Sequence, residues 1–460
     1  MNQIIRPVTG QPSELWTRWP FSMTDEMVCY FDTAAEPANV HLEMRIPARL
    51  DQPAFRTAAV TAITANQRAV SRLAAGGALR RRYVWEHPDR LDTDPVSFTT
   101  FADGAELARQ RIAFLGRSPS LEVSPPVRLL VASGPDADYV ILNAHHAAMD
   151  GQSCLELLRD IGRQYRGVPP GGMPSEPSPE RGAARQAGLP GAGQVSSAHT
   201  DVSRLPGEPD LPGRPRRRRA RRPARIAGER GSERGYGLHM MLLPGIPVVA
   251  EFAAGGRATL NEALITSLIT TIGRWNAEHG RPARLIRITV PVNARKRSEL
   301  SSAGNHSRLV TIAALPPRRE DELWPLLLDV ARQARQARQQ PGPPLGPSFR
   351  GLAAIWCPAV VKRRVVRAAL RIVGPLVCDT VMLTNLGNVA DPPDFGAPGD
   401  STMAFSAQAQ MPRGMCVAAI TAGGRLQVVF RYNRALLDQA ATGRFAEMFA
   451  AALGEITCTD

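Results

Sequence analysis

Apolar and polar positions fall into a repeating order of strand and helix along both halves of the chain. Residues 127–132 and 138–144 are two apolar runs around Ser133-Gly134-Pro135-Asp136-Ala137, which predicts a β-hairpin. Just beyond, Leu155, Leu158 and Ile161 recur at helical spacing with Leu157 beside them. Upstream, residues 40–46 predict a strand, and the Ala-rich stretch 52–72 predicts a helix. Phe21-Ser22-Met23-Thr24-Asp25 opens this half. Alternating strands and helices argue for an α/β or α+β layered lobe.

The second half repeats the style. Thr259-Leu260-Asn261-Glu262 fits a capping box, and Leu260, Ala263, Leu264, Leu268, Ile272 and Trp275 continue it as an apolar stripe. Ile286, Ile288, Val290 and Val292 alternate with Arg287, Thr289 and Pro291, as in a half-buried strand. Further strands are predicted at 308–314 and 379–384, with a helix through Leu323, Leu326, Leu327, Val330 and Ala334. Segments 415–421 and 425–432 flank Ala422-Gly423-Gly424 as a hairpin, and a helix over 435–453 follows.

Between the halves the composition changes. Residues 167–235 are rich in Gly, Pro, Ser and Arg and poor in large apolar side chains. Such a stretch cannot bury enough surface to offset its ordering entropy. The predicted organisation is an N-terminal lobe over 1–166, a disordered linker over 167–236 and a C-terminal lobe over 237–460. A length of 460 residues fits two lobes of about 200 each.

Charge changes the picture little. The net charge is +14, and residues 166–236 hold 14 Arg against 7 acidic residues, half of that excess. The run Arg216-Arg217-Arg218-Arg219-Ala220-Arg221-Arg222 has no interleaved aromatics on which bases could stack. It reads as a solvated connector, so no nucleic-acid partner is expected. No apolar run reaches the length of about 18 residues that a membrane span needs. The start Met1-Asn2-Gln3-Ile4-Ile5-Arg6-Pro7 lacks a signal core, and the six cysteines show no metal-ligand spacing, so a cytoplasmic protein with reduced thiols and no metal is expected.

The candidate chemistry lies at the end of the predicted hairpin. Ile141-Leu142-Asn143-Ala144-His145-His146-Ala147-Ala148-Met149-Asp150-Gly151 holds a His-His-x-x-x-Asp-Gly run, whose chance expectation is roughly one in a thousand or less. It combines a proton acceptor, a carboxylate that could fix local geometry and a glycine suited to a tight turn. Adjacent residues leaving a strand point to opposite faces, so only one histidine can face a substrate channel, and its neighbour should face packed protein.

His145-His146-x-x-x-Asp150-Gly151 resembles the signature of the chloramphenicol-acetyltransferase-like acyltransferases. The whole order of landmarks looks like the free-standing condensation domains of nonribosomal peptide synthesis and the polyketide-associated acyltransferases. Thr259-Leu260-Asn261-Glu262, Pro291-Val292-Asn293-Ala294-Arg295, Gly304-Asn305 and Thr384-Asn385-Leu386-Gly387 match recurring positions of that superfamily. Asp394-Phe395-Gly396 matches a structural Asp-Phe-Gly of plant relatives, without the Trp-Gly that follows it there. The landmarks span about residues 15–455.

The resemblance implies two similar lobes, each a mixed sheet with flanking helices, in a V-shaped pseudo-dimer with an active-site tunnel between them. It implies that His146 faces the tunnel while His145 and Asp150 are structural. Asp150 then pairs with an arginine of the second lobe; Arg295 is the candidate and Arg287 the fallback. The implied reaction is attack of an amine or hydroxyl on a thioester, with His146 as general base. The intermediate's oxyanion needs donors, for which the Gly151 amide is a candidate, followed by Asn385 and Ser22. Asn293, Asn305 and Asn385 read equally well as turn residues, and His306 as a loop residue. Cys154 lies three residues past Gly151, but its helical position reads as packing, so no covalent acyl-enzyme is expected.

The donor would be an acyl-CoA or an acyl group on the phosphopantetheine of a carrier protein supplied in trans. The acceptor would be a small amine or alcohol, and the chain itself a monomer without a tightly bound cofactor. Two alternatives stand beside this. One is a lipid-directed acyltransferase of the wax ester or triacylglycerol type, for which Glu14-Leu15-Trp16 is a partial match. The other is a non-catalytic, condensation-like binding domain.

Overall fold

The computed structural model describes residues 18–77, 79–167, 222–229, 235–245, 249–251, 257–281, 284–293, 305, 307–339, 357–397, 399 and 401–457. The first half contains β1 (Arg18–Pro20), α1 (Met23–Phe31), β2 (Asn39–Ile46), α2 (Gln52–Ala65), α3 (Gln67–Val70), β3 (Arg72–Leu73), β4 (Val84–Glu86), β5 (Val96–Thr100), α4 (Gly104–Leu115), β6 (Val127–Ser133), β7 (Asp138–His145) and α5 (Gly151–Tyr165). The second contains β8 (Tyr236–Pro244), β9 (Val249–Glu251), β10 (Arg257–Thr259), α6 (Leu260–Glu278), β11 (Ile286–Asn293), β12 (Ser307–Ala314) and α7 (Leu323–Gln339). It continues with α8 (Ala359–Ile372), α9 (Gly374–Val377), β13 (Val381–Val389), β14 (Thr402–Ser406), β15 (Met415–Ala422), β16 (Arg425–Asn433) and α10 (Gln439–Thr457).

Two mixed sheets dominate. One has the order β14-β2-β7-β6-β5 and the other β12-β11-β13-β15-β16-β8. The predicted hairpin is the β6–β7 pair of the first sheet, in antiparallel register from Val127 opposite Ala144 to Ser133 opposite Asp138. The Thr259–Glu262 capping box starts α6 as expected: Thr259 Oγ1 accepts from the Glu262 amide, and Glu262 Oε2 accepts from the Thr259 amide.

Three expectations need correction. The 52–72 helix is two helices separated at Asn66, whose side chain accepts from the Arg68 and Ala69 amides. A side-chain oxygen that caps a new turn competes with helix continuation. Second, the stretch taken as linker ends earlier than predicted, for 222–229 and the start of β8 are ordered. Ala224, Ile226 and Ala227 are buried in the second core. The Ala224 amide donates to Leu285 O at 2.7 Å, the Ala227 amide to Asn276 Oδ1 at 2.7 Å, and Trp275 Nε1 to Ala227 O at 3.0 Å. Three apolar residues suffice to dock a segment whose composition is otherwise that of a solvated chain.

Third, the lobes are not two consecutive pieces of sequence. β14 comes from the second half yet forms the edge of the first sheet, pairing antiparallel with β2. β15 shows how the lobes join. All eight of its residues are buried. Cys416, Ala418, Ile420 and Ala422 point into the first core, while Met415, Val417 and Ala419 point into the second. Period-two alternation thus becomes a continuous apolar run, because both faces of the strand are covered.

Candidate active site

The two histidines sit where β7 ends. Strand pairing puts His145 opposite Asn39 of β2. The His146 amide donates to Ala38 O at 2.9 Å, which holds the next residue in line with the strand. A turn follows, with the Ala148 amide on His145 O at 2.9 Å. Asp150 then caps α5: its Oδ1 accepts from the Ser153 amide and the Ser153 hydroxyl, both at 2.9 Å. Capping satisfies a helix amide that has no intrahelical partner. The motif carboxylate is therefore held by its own helix, whatever else it meets.

The rings have different surroundings. His145 is buried, at 2 % exposure. Its Nδ1 accepts the Ala147 amide at 3.0 Å, so the ring proton is assigned to Nε2. Nε2 faces Asp32 Oδ2 at 3.7 Å, an electrostatic contact longer than a hydrogen bond. Asp32 Oδ1 in turn accepts from the Ala38 amide at 2.8 Å and the Ser118 hydroxyl at 2.7 Å. Burial pushes the Asp32 carboxyl up, but His145, Ala38 and Ser118 more than offset this and leave it below the usual range.

His146 is only partly covered. Its Nδ1 has no hydrogen-bond partner among the described residues. Burial lowers the imidazole's pKa, against the opposing pull of the Asp150 carboxylate. The ring is thus neutral near pH 7 and can take up a proton.

Gly151 opens α5, so its N–H is among the helix amides that lack an intrahelical acceptor. A Cβ here would lie 2.7 Å from Leu386 Cδ2 and 2.8 Å from Phe405 Cε2. Its φ is not positive, so glycine is needed for the close approach of these second-half side chains and not for the tight turn expected from the motif. Gln152 Nε2 donates to Leu386 O at 3.1 Å, fixing the same junction. Asn305 adds a link from the second half: its Nδ2 donates to His146 O at 3.3 Å, and its buried Oδ1 has no partner among the described residues.

The remaining candidates fall as follows. Asn385 is a turn residue on β13, where its Oδ1 accepts the Gly387 amide at 2.8 Å beside a register shift, and Gly387 has φ +82°. Ser22 is exposed, and its hydroxyl accepts the Asp25 amide as the N-cap of α1. Arg287 pairs with Asp379 at 2.8 Å, which removes it as the fallback partner of Asp150. Arg295, the linker arginines at 214–221, Gly304, His306 and Glu14-Leu15-Trp16 lie outside the described residues. Cys154 is buried, and desolvation together with Asp150 raises its thiol well above the ordinary value, so it is no thiolate nucleophile. Asp394-Phe395-Gly396 is a docking turn: Phe395 packs on Phe55 and Tyr165, and Asp394 pairs with Arg166.

Sequence reasoning missed a buried polar layer next to the histidines. Asn39 Nδ2 donates to Asn143 Oδ1 at 2.8 Å, and Arg431 of β16 donates to Asn39 Oδ1 at 2.6 Å. Deeper in the same layer, His41 bridges Ser406 Oγ at 3.1 Å and Glu43 Oε2 at 3.2 Å. Arg111 grips both Glu43 oxygens at 2.6 Å. Burial pushes the Glu43 carboxyl up, yet Arg111 and His41 outweigh it and hold it at about 2. The only signal in sequence was an alternation that ordinarily marks a wet face.

No family profile matches the chain. Two uncharacterized proteins of Mycobacterium tuberculosis strains, Rv2305 and MT2362, are each 28 % identical over 450 residues, covering 92 % of this chain and 96 % of theirs. Among solved structures, the cyclization-docking bidomain of the synthetase EpoB from Sorangium cellulosum superimposes with a TM-score of 0.62 at 15 % identity, covering 97 % of this chain and 85 % of that one. The starter condensation domain of rhizomide synthetase, solved with C8-CoA and Leu-SNAC, gives 0.59 at 13 %, covering 96 % and 95 %. The epimerization domain of tyrocidine synthetase B gives 0.57 at 12 %, covering 97 % and 98 %. Against the larger synthetase FmoA3 the chain spans 44 % of that protein, with a TM-score of 0.60 at 16 % identity. The chain has the two-lobed mixed α/β fold of the condensation and epimerization domains of nonribosomal peptide synthetases.

Proposed function

We propose that this chain is a condensation-type acyltransferase, moving an acyl group from a thioester to an amine or hydroxyl. The observation that carries the reading is His146. It is a half-buried imidazole kept neutral by burial and tied through its carbonyl to Asn305 of the other half. In this reading His146 takes the proton from the attacking group as it bonds to the thioester carbonyl. The Gly151 amide, at the positive end of α5, faces the oxyanion that forms. Collapse of the intermediate breaks the C–S bond, the leaving sulfur takes the proton back from the His146 imidazolium and departs as the thiol, and no enzyme nucleophile is acylated.

A tunnel between the lobes, with the donor entering from one end and the acceptor from the other, belongs to the proposal. So does the donor, an acyl-CoA or an acyl carrier protein. The neighbour solved with C8-CoA supports keeping the CoA form in the donor panel. His146→Ala tests the reading directly. Parent and variant are given a panel of acyl thioesters with amine and alcohol acceptors, and products are read by intact mass. Parent turnover that the variant lacks supports the proposal. Equal turnover removes His146 from the mechanism, and a parent that transfers nothing across the panel favours the non-catalytic alternative.

A further inference from the structure

Seven of the twelve large apolar side chains exposed among the described residues lie within residues 360–377. Scattered exposed apolar residues need no explanation, but a contiguous patch marks an interaction surface. α8 is the centre of it. Val361, Val365, Ala368 and Ile372 are spaced four, three and four residues apart, so they form one stripe along the helix. All four are exposed, Ile372 to 74 %. The opposite side, through Ala359, Lys362 and Val366, is buried against the body of the protein. α9 extends the stripe with Leu376 and Val377, and Val373 joins the two.

The charge on this surface has one sign. Cys357 to Cys378 holds Lys362, Arg363, Arg364, Arg367 and Arg371 and no Asp or Glu. Lys362 is buried on Arg81 O, while Arg363 and Arg367 hold the backbone at the end of α1. Arg364 and Arg371 are exposed, seven residues apart, and border one edge of the apolar stripe. The loop beside the N-terminus of α8 matches it. Leu79 is 82 % exposed next to Arg81 and Arg82, and the Ala359 amide donates to Arg80 O at 2.8 Å.

We infer that α8, α9 and the 79–82 loop form a docking surface for an anionic lipid bilayer. A convex apolar stripe with a basic edge and no acidic residue matches what a helix lying in the headgroup plane presents. The apolar side chains enter the acyl boundary while the guanidinium groups reach lipid phosphates. No described helix is long and apolar enough to cross a membrane, so the contact is peripheral. An acidic carrier protein would also meet the arginines; the exposed apolar side chains on α8, α9 and the neighbouring loop favour a lipid surface. The docked face is close to the histidines in bonding terms: Arg363 and Arg367 both donate to Asp32 O, and the Asp32 carboxylate faces His145.

The full chain is floated with vesicles of phosphatidylcholine alone and with vesicles containing phosphatidylglycerol. Binding to the anionic vesicles, weakened by salt, is expected. The double variant Val365→Asp/Ile372→Asp should lower that binding by about tenfold or more. Arg364→Glu/Arg371→Glu should remove the preference for phosphatidylglycerol, since each basic residue contributes about fivefold at an anionic surface. All substituted positions are exposed, and an unchanged thermal midpoint verifies folding. Three results would overturn the inference: no flotation of the parent; flotation unaffected by both variants; or a dimeric parent that the aspartates convert to monomer without changing lipid binding, which makes the face a self-interface. Loss of transfer from a carrier-bound thioester alone, with flotation intact, would reassign the face to a protein.

Discussion

The two faces of β2 are equally buried and chemically opposite. Val40, Leu42, Met44 and Ile46 lie at 0–2 % exposure in the first core, with Phe55 of α2 and Leu155 of α5. Asn39, His41 and Glu43 alternate with them at 0–3 % exposure. Their partners are Arg431 of β16, Ser406 of β14 and Arg111 of α4. Burial does not separate the two faces; what covers them does. The α2 and α5 layer presents apolar side chains, so it is matched by apolar side chains. The polar face meets Arg111 and Asn143 of the first half and Ser406 and Arg431 of the second, so its hydrogen bonds are complete only when both halves are in place. The histidine pair sits at the end of this seam, at the level of Asn39.

The seam should therefore divide into a chemical end and a structural end. The largest expected effect is at the chemical end. His146→Gln should cost on the order of 10²- to 10⁴-fold in turnover, the range for removing a positioned general base, with little change in unfolding midpoint. A variant that loses stability in proportion to activity would make His146 part of the structural end.

Arg111→Met should show the reverse. It leaves the Glu43 carboxylate buried with His41 as its remaining side-chain partner, which costs about 3–5 kcal/mol of stability. The double change Arg111→Met/Glu43→Leu should recover most of that loss in urea unfolding, because no charge is then stranded. Purely additive losses would mean that the pair does not act as a unit. The pH dependence has a definite sign. Glu43 is held at about 2 against an ordinary 4.5, so its contribution is complete above about pH 4.5 and is lost as pH falls toward 2.

Two glycines sharpen the comparison at smaller scale. Both open helices of the first lobe, Gly104 at α4 and Gly151 at α5. A Cβ on Gly104 meets nothing within 4 Å, whereas one on Gly151 meets Leu386 and Phe405 below 3 Å. Gly104→Ala should be neutral or stabilise by about 0.4–1 kcal/mol. Gly151→Ala should destabilise by about 1–3 kcal/mol, as overpacking does, unless Leu386 swings away. Equal effects would show that the lobes have slack where α5 meets β13 and β14.

Much of the apolar face was legible in the sequence, and little of the seam was. The β6–β7 hairpin, the α6 capping box and the β15–β16 hairpin are local patterns, readable from spacing and turn residues. The His145–Gly151 motif was legible for the same reason. Asp32, Asn39 and Arg431 were not, because each acts on the site through a partner far away in sequence. Asn39 and Arg431 are 392 positions apart. His41 and Glu43 had a visible alternation, but it carries no mark that distinguishes a solvated face from a mated one. β14 was missed because five residues inside a loop-rich stretch have no period of their own, and only β2 gives them a strand's role. Gly151 was assigned a turn because glycine in isolation suggests conformational freedom, while the side chains that need its missing Cβ come from residues 386 and 405.

The smallest effect concerns the boundary between the seam's two ends. Asp32 faces His145 and not His146, so Asp32→Asn removes a charge from behind the structural ring. A neutral imidazole N–H at 3.7 Å from a carboxylate gains only about 1 kcal/mol from that charge, so turnover should fall about fivefold with KM unchanged. The acid limb of the rate profile gives the sharper test. Burial lowers the His146 pKa, so the base stays unprotonated to a lower pH than a free imidazole, and the limb should lie below the ordinary histidine value of 6.5. Stability follows the same sign: an unfolded chain takes up a proton that folded His146 refuses, so acid below about pH 6.5 favours unfolding. Asp32→Asn should leave the limb in place, because the groups that bear on His146 are its burial, Asp150, the neighbouring backbone carbonyls and His145. A limb that moved with Asp32 would mean that the two imidazoles titrate as one coupled pair, and the seam would then have no separate chemical end.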